Sequence, residues 1–154
     1  PGRNGLIGLG QRIEVNSPLD LVILMLGTND FQANHAHTAL DAKNGMRALI
    51  NAIRNTQLEP GMKMPEILVI APPPILVPQG DIVAKFEGAQ HKCIGLAEAY
   101  QDLCGEMGCQ FFDAASVTSS SKVDGVHFDI DQHLNFGNAI SEFINTNAYQ
   151  LINS

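Results

Sequence analysis

Two short runs of consecutive apolar residues constrain the fold of this chain more than any other feature. Residues 20–26 read DLVILML and residues 66–71 read EILVIA. A strand exposed on one face would alternate apolar and polar residues, whereas continuous apolar runs of this length are typical of strands covered on both faces of a parallel sheet. Each run stops at turn-forming residues, which are GTND at residues 27–30 and three prolines at residues 72–74. We therefore predict two buried parallel strands.

Helices are predicted where apolar residues recur at three- and four-residue spacing. They cover residues 38–55, 90–107 and 131–147, and the second of them ends at Gly108. A short third strand is predicted over residues 109–114, and the segments 75–88 and 115–126 are predicted to be loops because no period is sustained in them. This alternation of strands and helices is typical of parallel βαβ units. We therefore predict a single α/β domain over residues 1–154.

The predicted sheet lacks a cover on one edge. The strand at residues 20–26 would expose its apolar side chains and its backbone hydrogen-bonding groups if it lay at a bare edge. A strand, a helix and a further strand that could cover it need about 40 to 60 residues. Only eighteen residues precede Leu19, and the first of them read PGRNG, without an initiator Met or an apolar signal segment. We therefore expect that an amino-terminal strand-helix-strand segment of the domain is missing from this chain.

Charge and hydropathy exclude several classes of partner. Nine Lys and Arg residues against 16 Asp and Glu residues give a formal net charge of −7, and no run of Lys or Arg occurs. Because phosphate binding needs clustered cations, we expect no nucleic-acid partner and no contact with an anionic membrane surface. The longest apolar runs are also far shorter than the roughly 20 residues of a membrane-spanning helix.

Residues that could bind metals or react as thiols are interpreted as structural. Cys93, Cys104 and Cys109 lack the paired spacing of a zinc site or a redox pair. We expect them to be reduced and buried, which slightly favours the cytoplasm as the location of the protein. His35 and His37 lie on a polar loop without a third ligand and are interpreted as surface residues. We therefore predict no metal and no cofactor.

Two polar clusters follow predicted strands, where the catalytic groups of doubly wound sheets gather. In the first, at residues 27–30, Asn29 offers an amide NH2 group that can donate hydrogen bonds. In the second, Asp124 precedes His127 by three residues on the loop before the final helix. Such a carboxylate can accept from imidazole Nδ1, fix the tautomer and leave Nε2 free as a general base. Each cluster alone is also explained by turn chemistry or a local cap.

The two clusters together resemble a known family. GTND at residues 27–30 and DGVHFD at residues 124–129 resemble the third and fifth sequence blocks of the SGNH, or GDSL-type, hydrolases. RNG at residues 3–5, SPLD at residues 17–20 and APPP at residues 71–74 resemble the arylesterase and acyltransferase branch of that family. The resemblance covers nearly the whole chain and implies a flavodoxin-like three-layer α/β/α sandwich. It also implies hydrolysis or transfer of small acyl groups from aryl or alkyl esters through a serine acyl-enzyme.

The resemblance assigns roles to some residues and leaves one role empty. It implies that His127 is the base, that Asp124 orients it, and that Asn29 and Gly27 belong to the oxyanion hole. The nucleophile of the family lies in a Gly-Asp-Ser block, which occurs nowhere in the 154 residues. None of the serines follows a predicted strand on the tight glycine-flanked turn that a nucleophile elbow demands. Ser116 comes nearest, but it lies in a segment interpreted as structural.

The missing block and the bare sheet edge lead to one hypothesis. We expect this chain to be the carboxy-terminal portion of an SGNH hydrolase domain, inactive unless an amino-terminal segment supplies the nucleophilic serine, either as a nicked piece or as a separate chain. The alternative is a non-enzymatic α/β binding or assembly module that uses the exposed strand edge to associate with another chain. In both cases the exposed edge favours a homo-oligomer.

Three further polar residues receive local interpretations. Asp131 and His133 lie at the start of the final predicted helix, where capping or core hydrogen bonding is expected of them. Asp113 ends the third predicted strand and is expected to hold the loop that carries Asp124.

Overall fold

The structure is a computed structural model that describes the backbone of residues 4–153 and the side chains of residues 4–147. Its helices and strands, in chain order, are α1 (Leu9–Asn16), β1 (Leu21–Leu24), α2 (Ala39–Arg54), β2 (Glu66–Ala71), α3 (Val83–Phe86), α4 (Ala89–Lys92), α5 (Leu96–Met107), β3 (Gln110–Asp113) and α6 (Ile130–Asn153). Within these residues the strands form one parallel sheet of order β1-β2-β3. The predicted α/β class is confirmed.

The central strand β2 is buried because helices cover both faces of the sheet. Ile67 and Val69 point into a core cluster shared with α1, α2 and α5. Leu68 and Ile70 point to the opposite face, where α6 packs through Phe136, Ile140, Phe143 and Ile144. Full burial of such a side chain contributes about 1.5 to 3 kcal/mol. The three layers therefore explain why the apolar run in β2 shows no alternation.

Helix α2 forms where its spacing and its first turn predict it. Thr38 is the N-cap, its hydroxyl accepting from the Asp41 N–H at 3.4 Å while the Asp41 carboxylate accepts from the Thr38 N–H at 2.8 Å. These reciprocal bonds satisfy backbone donors that an uncapped helix leaves unpaired. The side chains that α2 buries are the predicted ones, namely Ala42, Met46, Leu49, Ile50 and Ile53.

The prediction of one helix over residues 90–107 is wrong. The segment contains the separate helices α4 and α5, and the chain between them turns at Gly95, whose φ is +82°. Cys93, which lies in the break, is still buried against the core, so the apolar spacing continues across a point where the backbone is not helical. The predicted end is confirmed, because Gly108 adopts φ +60° and donates its N–H to the Cys104 carbonyl, which also accepts from the Cys109 N–H at 3.0 Å.

Other elements differ from the prediction in extent. Helix α1 was not expected, because it buries only Ile13 and so carries little apolar periodicity. The segment 75–88, predicted as a loop, contains a 3₁₀ turn at Gly80–Ile82 and helix α3. Strands β1 and β3 are shorter than their apolar runs, and α6 extends beyond residue 147. None of the helices in the described part of the chain is both long enough and apolar enough to cross a membrane.

The uncovered edge expected from the sequence is present in the described sheet. Strand β1 pairs only with β2 there, so its other side carries unpaired backbone groups. Ile23 in β1 is 44% exposed and Leu26 just beyond it is 47% exposed. The apolar run at residues 20–26 is therefore only half covered, in contrast to β2.

Candidate active site

His127 and Asp124 form a hydrogen-bonded pair on the turn that precedes α6. His127 Nδ1 lies 2.6 Å from Asp124 Oδ2. The other carboxylate oxygen, Oδ1, accepts from the backbone N–H groups of Val126 at 2.8 Å and His127 at 3.0 Å. An ionised carboxylate can only accept hydrogen bonds, so it pairs with a protonated Nδ1 and leaves Nε2 unprotonated in the neutral ring. The His127 side chain is 62% exposed, which makes the ring accessible from solvent.

The surroundings of Asp124 favour its charged form. Partial burial raises the pKa of this carboxyl, but the hydrogen bonds from the Val126 N–H and from the His127 ring and N–H outweigh that effect. The net result is a pKa below the ordinary value of 3.8. Asp124 is therefore an anion at neutral pH and can stabilise a positive charge on the neighbouring ring.

A buried serine that the sequence analysis missed holds this turn in place. Ser121 is fully buried, and its Oγ accepts from the N–H groups of Val123 at 2.9 Å and Asp124 at 3.3 Å. The same hydroxyl donates to the Asp129 carboxylate at 2.9 Å. The role predicted for Asp113 therefore falls to Ser121 and Asp129, while Asp113 accepts from the Ala115 N–H at 2.9 Å and caps its own 3₁₀ turn. The sequence contains one signal for this contact, which is Asp129, the second Asp of DGVHFD.

The turn is also docked against the loop that follows β2. The carbonyls of Gly125 and Asp124 accept from the N–H groups of Leu76 at 2.8 Å and Gln79 at 3.0 Å. Gly125 has φ +82°, and a Cβ atom there would lie 2.6 Å from the Val77 carbonyl oxygen. A residue with a side chain could not lie this close to the Val77 carbonyl unless the backbone moved. The glycine between Asp124 and His127 thus fixes the position of the pair relative to the sheet.

Asn29 lies on a 3₁₀ turn, Thr28–Phe31, that directly follows the β1 segment. The turn is anchored by Phe31, which is fully buried, while Asn29 itself is exposed. Asn29 Oδ1 accepts from Gln32 Nε2 at 2.7 Å. The NH2 group of Asn29 has no acceptor among the residues whose side chains are described, so it is free to donate.

Gly27 begins the Asn29 turn and packs closely against a distant helix. Its φ of +127° starts the turn, and a Cβ atom there would lie 2.9 Å from Tyr100 Oη. That hydroxyl donates to the Leu26 carbonyl at 3.1 Å. Gly27 is buried against this tyrosine and is not among the residues that line the cavity described next. It lines a second cavity together with Asn29, and its place in the oxyanion hole stays a prediction.

Asn29 and His127 line one cavity of about 270 Å³ beyond the ends of β1 and β2. Its remaining walls are Met25, Thr28, Pro72, Pro73, Phe86, Val126, Phe128 and His133. A mostly apolar cavity with a few convergent polar groups is the usual form of a small-molecule site. The shared cavity predicted from the two sequence clusters is therefore present.

His133 belongs to this cavity instead of serving as a helix cap or a core residue. Its side chain is exposed, and its ring packs edge-on against Phe128 with the centroids 5.3 Å apart. At the start of α6 the Asp129 N–H donates to Gln132 Oε1 at 3.0 Å, and Asp131 is exposed. The interpretation of His133 as a capping or core residue is wrong, because the first turn of α6 faces the cavity.

None of the serines in the described part of the chain lines this cavity. Ser116 Oγ donates to the Asp113 carbonyl at 2.6 Å and Ser120 Oγ donates to the Pro74 carbonyl at 2.9 Å. Ser121 is engaged with Asp129, as described above. These three serines therefore form structural hydrogen bonds.

The cysteines and the pair of His35 and His37 do not line the cavity that contains His127. Cys93 and Cys104 are buried as predicted, whereas Cys109 is only partly buried, contrary to the prediction. Burial raises the pKa of all three thiols, so they are protonated at neutral pH. His35 is partly buried and its ring lies 5.2 Å from that of the exposed His37. No group of three or more metal-ligating side chains occurs among the residues that the structure describes.

The parallel three-layer sandwich and its cavity at the carboxyl ends of the strands define an α/β protein with a small-molecule site in the usual place of this fold class. More specifically, the chain matches the GDSL-like Lipase/Acylhydrolase family over residues 2–136 and belongs to that family. The resemblance found in the sequence is thereby confirmed.

Solved structures agree with this assignment. The native aryl esterase of M. smegmatis is 37% identical, with a TM-score of 0.86 over 95% of this chain and 69% of the other. A carbohydrate acetylesterase family member from Sinorhizobium meliloti is 31% identical, with a TM-score of 0.88 over 99% of this chain and 70% of the other. A search of curated proteins gave no match. The three-layer fold implied by the resemblance is confirmed by these similarities.

Proposed function

We propose that this chain supplies the base, its orienting carboxylate and one oxyanion donor of a serine esterase that acts on small acyl esters. The observation that carries the proposal is the single cavity shared by His127, which is bonded to Asp124, and Asn29. A base within hydrogen-bond reach is what a hydroxyl nucleophile needs for activation. An amide donor on the same cavity is what the tetrahedral intermediate needs.

The proposed reaction follows from these positions. As the serine Oγ attacks the ester carbonyl carbon, His127 Nε2 takes the hydroxyl proton, and the Asp124 anion stabilises the imidazolium that forms. The carbonyl oxygen becomes an oxyanion that accepts from the NH2 group of Asn29. His127 then gives the proton to the leaving alcohol oxygen, and an acyl-serine ester remains. Water, or an acceptor alcohol, attacks this ester with His127 again as the base.

We further propose that the nucleophilic serine lies on a segment outside this chain. The sequence contains no Gly-Asp-Ser block, and Ser120 and Ser121 on the loop before His127 are bonded elsewhere. The free edge of β1, with Ile23 exposed, ends next to the Asn29 turn. A further parallel strand on this edge would bring its own carboxyl end towards the cavity. By itself the chain is then inactive.

The cavity fits a small acyl group. Its volume of about 270 Å³ lies just below the usual range for small-molecule sites, which begins at about 300 Å³. The similar proteins are an aryl esterase and a carbohydrate acetylesterase family member, so short acyl esters of aryl or alkyl alcohols are the substrates we propose.

Labelling with a fluorophosphonate tests the proposal. The full product of the gene that encodes this chain is exposed in its native state to the probe, and its peptides are weighed after denaturation. We expect one adduct on a serine outside residues 1–154, and no adduct in the matched His127→Ala variant. An adduct on a serine within residues 1–154 would contradict the proposed source of the nucleophile. No adduct at all would contradict the proposed enzyme.

The second candidate is a non-enzymatic assembly module, and the exposed edge of β1 favours it. Ile23 and Leu26 present apolar surface beside unpaired backbone groups, which is a surface that binds a further strand. We propose that this edge supports a homo-oligomer in either case. The fluorophosphonate experiment separates the candidates, because a protein that is a homo-oligomer by native mass measurement and takes up no adduct fits only the module.

A further inference from the structure

The side-chain amide of Asn29 has two chemically opposite ends of similar shape. Its NH2 group donates hydrogen bonds, and its Oδ1 only accepts them. An oxyanion is stabilised by the first end and repelled by the second, although both ends occupy nearly the same space. Something other than shape must therefore determine which end faces the cavity.

In the structure Gln32 bonds the oxygen end of this amide. Its Nε2 donates to Asn29 Oδ1 at 2.7 Å, which holds the oxygen towards Gln32 and leaves the NH2 group for the cavity. We infer that Gln32 is a positioning residue that orients the Asn29 amide for oxyanion binding. This inference rests on the proposed function. Gln32 is not among the residues that line the cavity, so it acts through Asn29 and not on the substrate.

The backbone of Gln32 is itself held by neighbouring helices. Lys92 in α4 donates from Nζ to the carbonyls of Gln32 at 3.0 Å and His35 at 2.8 Å. The N–H of the next residue, Ala33, donates to the carbonyl of Lys85 in α3 at 2.8 Å. The point from which the Gln32 side chain reaches Asn29 is therefore fixed by contacts that do not involve Asn29.

Substitutions at Gln32 separate orientation from mere packing. A glutamate only accepts hydrogen bonds, so in Gln32→Glu the Asn29 amide turns its NH2 group towards residue 32 and its oxygen towards the cavity. Gln32→Ala removes the preference, and both orientations are populated. Gln32→Lys keeps a donor at this position. The expected order of remaining activity is therefore Lys, then Ala, then Glu.

A steady-state assay of 4-nitrophenyl acetate hydrolysis by the full gene product tests the inference. We expect Gln32→Glu to lower kcat by about 10²-fold, approaching the loss expected for the missing oxyanion donor. Gln32→Ala is expected to lower kcat by about two- to tenfold, because only a fraction of the molecules has the competent orientation. KM changes little in each case, since the lost interaction is made in the transition state.

The same substitutions in an Asn29→Ala background serve as the control. If Gln32 acts through Asn29, the three residue-32 variants there differ from one another by less than about twofold. Asn34→Asp, which adds a charge on the same exposed loop, measures the effect of charge alone. A Gln32→Glu loss that equals that of Gln32→Ala, or that persists without Asn29, would overturn the inference. If Asn29→Ala itself keeps full activity, the proposed oxyanion role fails first, and the two failures are thereby distinguished.

Discussion

The two turns that carry the candidate groups are built in different ways. The His127 turn is tied by the buried hydroxyl of Ser121, by the Asp129 carboxylate and by backbone bonds to the loop after β2. The Asn29 turn rests on buried Phe31, but its functional amide is held by one side-chain bond, from Gln32. The proposed base is therefore preorganised by several contacts, whereas the proposed oxyanion donor depends on one partly buried neighbour.

The difference follows from the place of each turn in the sheet. The His127 turn docks on the loop after β2, the central strand, and so has protein on several sides. The Asn29 turn follows β1, the edge strand, beside the exposed Ile23 and Leu26. A turn next to an uncovered edge has fewer neighbours that could hold its side chains.

The largest expected effect concerns the preorganised turn. Asp124→Asn replaces the anion that holds His127 Nδ1 with an amide that can donate, so the ring is held in the wrong tautomer. We expect kcat of the full gene product to fall by about 10⁴-fold, as the equivalent change does in other serine enzymes. The measurement is the initial rate of 4-nitrophenyl acetate hydrolysis.

Asp131→Asn is the matched control for this prediction, because Asp131 is an exposed carboxylate in the first turn of α6 and does not line the cavity. It is expected to keep the original rate. A loss of less than about tenfold in Asp124→Asn would remove the carboxylate from the proposed mechanism.

The second prediction concerns the less supported turn. Asn29→Ala removes the free NH2 donor, and we expect kcat to fall by about 10²- to 10³-fold with little change in KM. Asn34→Ala changes an exposed residue of the same type on the same loop and is expected to have no effect. A rise in KM with an unchanged kcat would show that Asn29 binds the ground state, and the proposed oxyanion role would then be wrong.

The sequence predicts those features whose cause is local. The apolar run of β2, the first turn of α2 at Thr38 and the three-residue spacing of Asp124 and His127 each specify a structure through near neighbours. The clamp between Ser121 and Asp129 was missed, because a serine on a Ser-rich loop gains its meaning only from burial. The position of Gly27 was missed for a similar reason, since Tyr100 contacts it from a distant helix.

The third prediction tests whether the clamp causes the difference between the turns. Ser121→Ala leaves the N–H groups of Val123 and Asp124 without their acceptor and Asp129 without its donor, and it removes a hydroxyl that is itself fully buried. We expect the free energy of unfolding to fall by about 1 to 3 kcal/mol, measured by urea titration of the full gene product. Ser119→Ala, at an exposed serine of the same loop, is expected to change it by less than about 0.5 kcal/mol. Equal effects of the two variants would mean that the clamp does not stabilise the turn.

The smallest expected effect is the pH dependence that Asp124 adds to stability. The pKa of Asp124 lies below its ordinary value of 3.8 in the folded protein, so the unfolded chain binds this proton more tightly than the folded chain. The stabilisation is therefore complete above the unfolded pKa of about 3.9 and is lost as the pH falls through the folded pKa. The difference in unfolding free energy between the original protein and Asp124→Asn should shrink below about pH 4, because the other carboxylates titrate in both proteins. Asn29→Ala should give a curve parallel to that of the original protein, since the Asn29 turn holds its amide without a titrating partner. Parallel curves for Asp124→Asn would contradict the charge-based support of the His127 turn, and with it the contrast between the two turns.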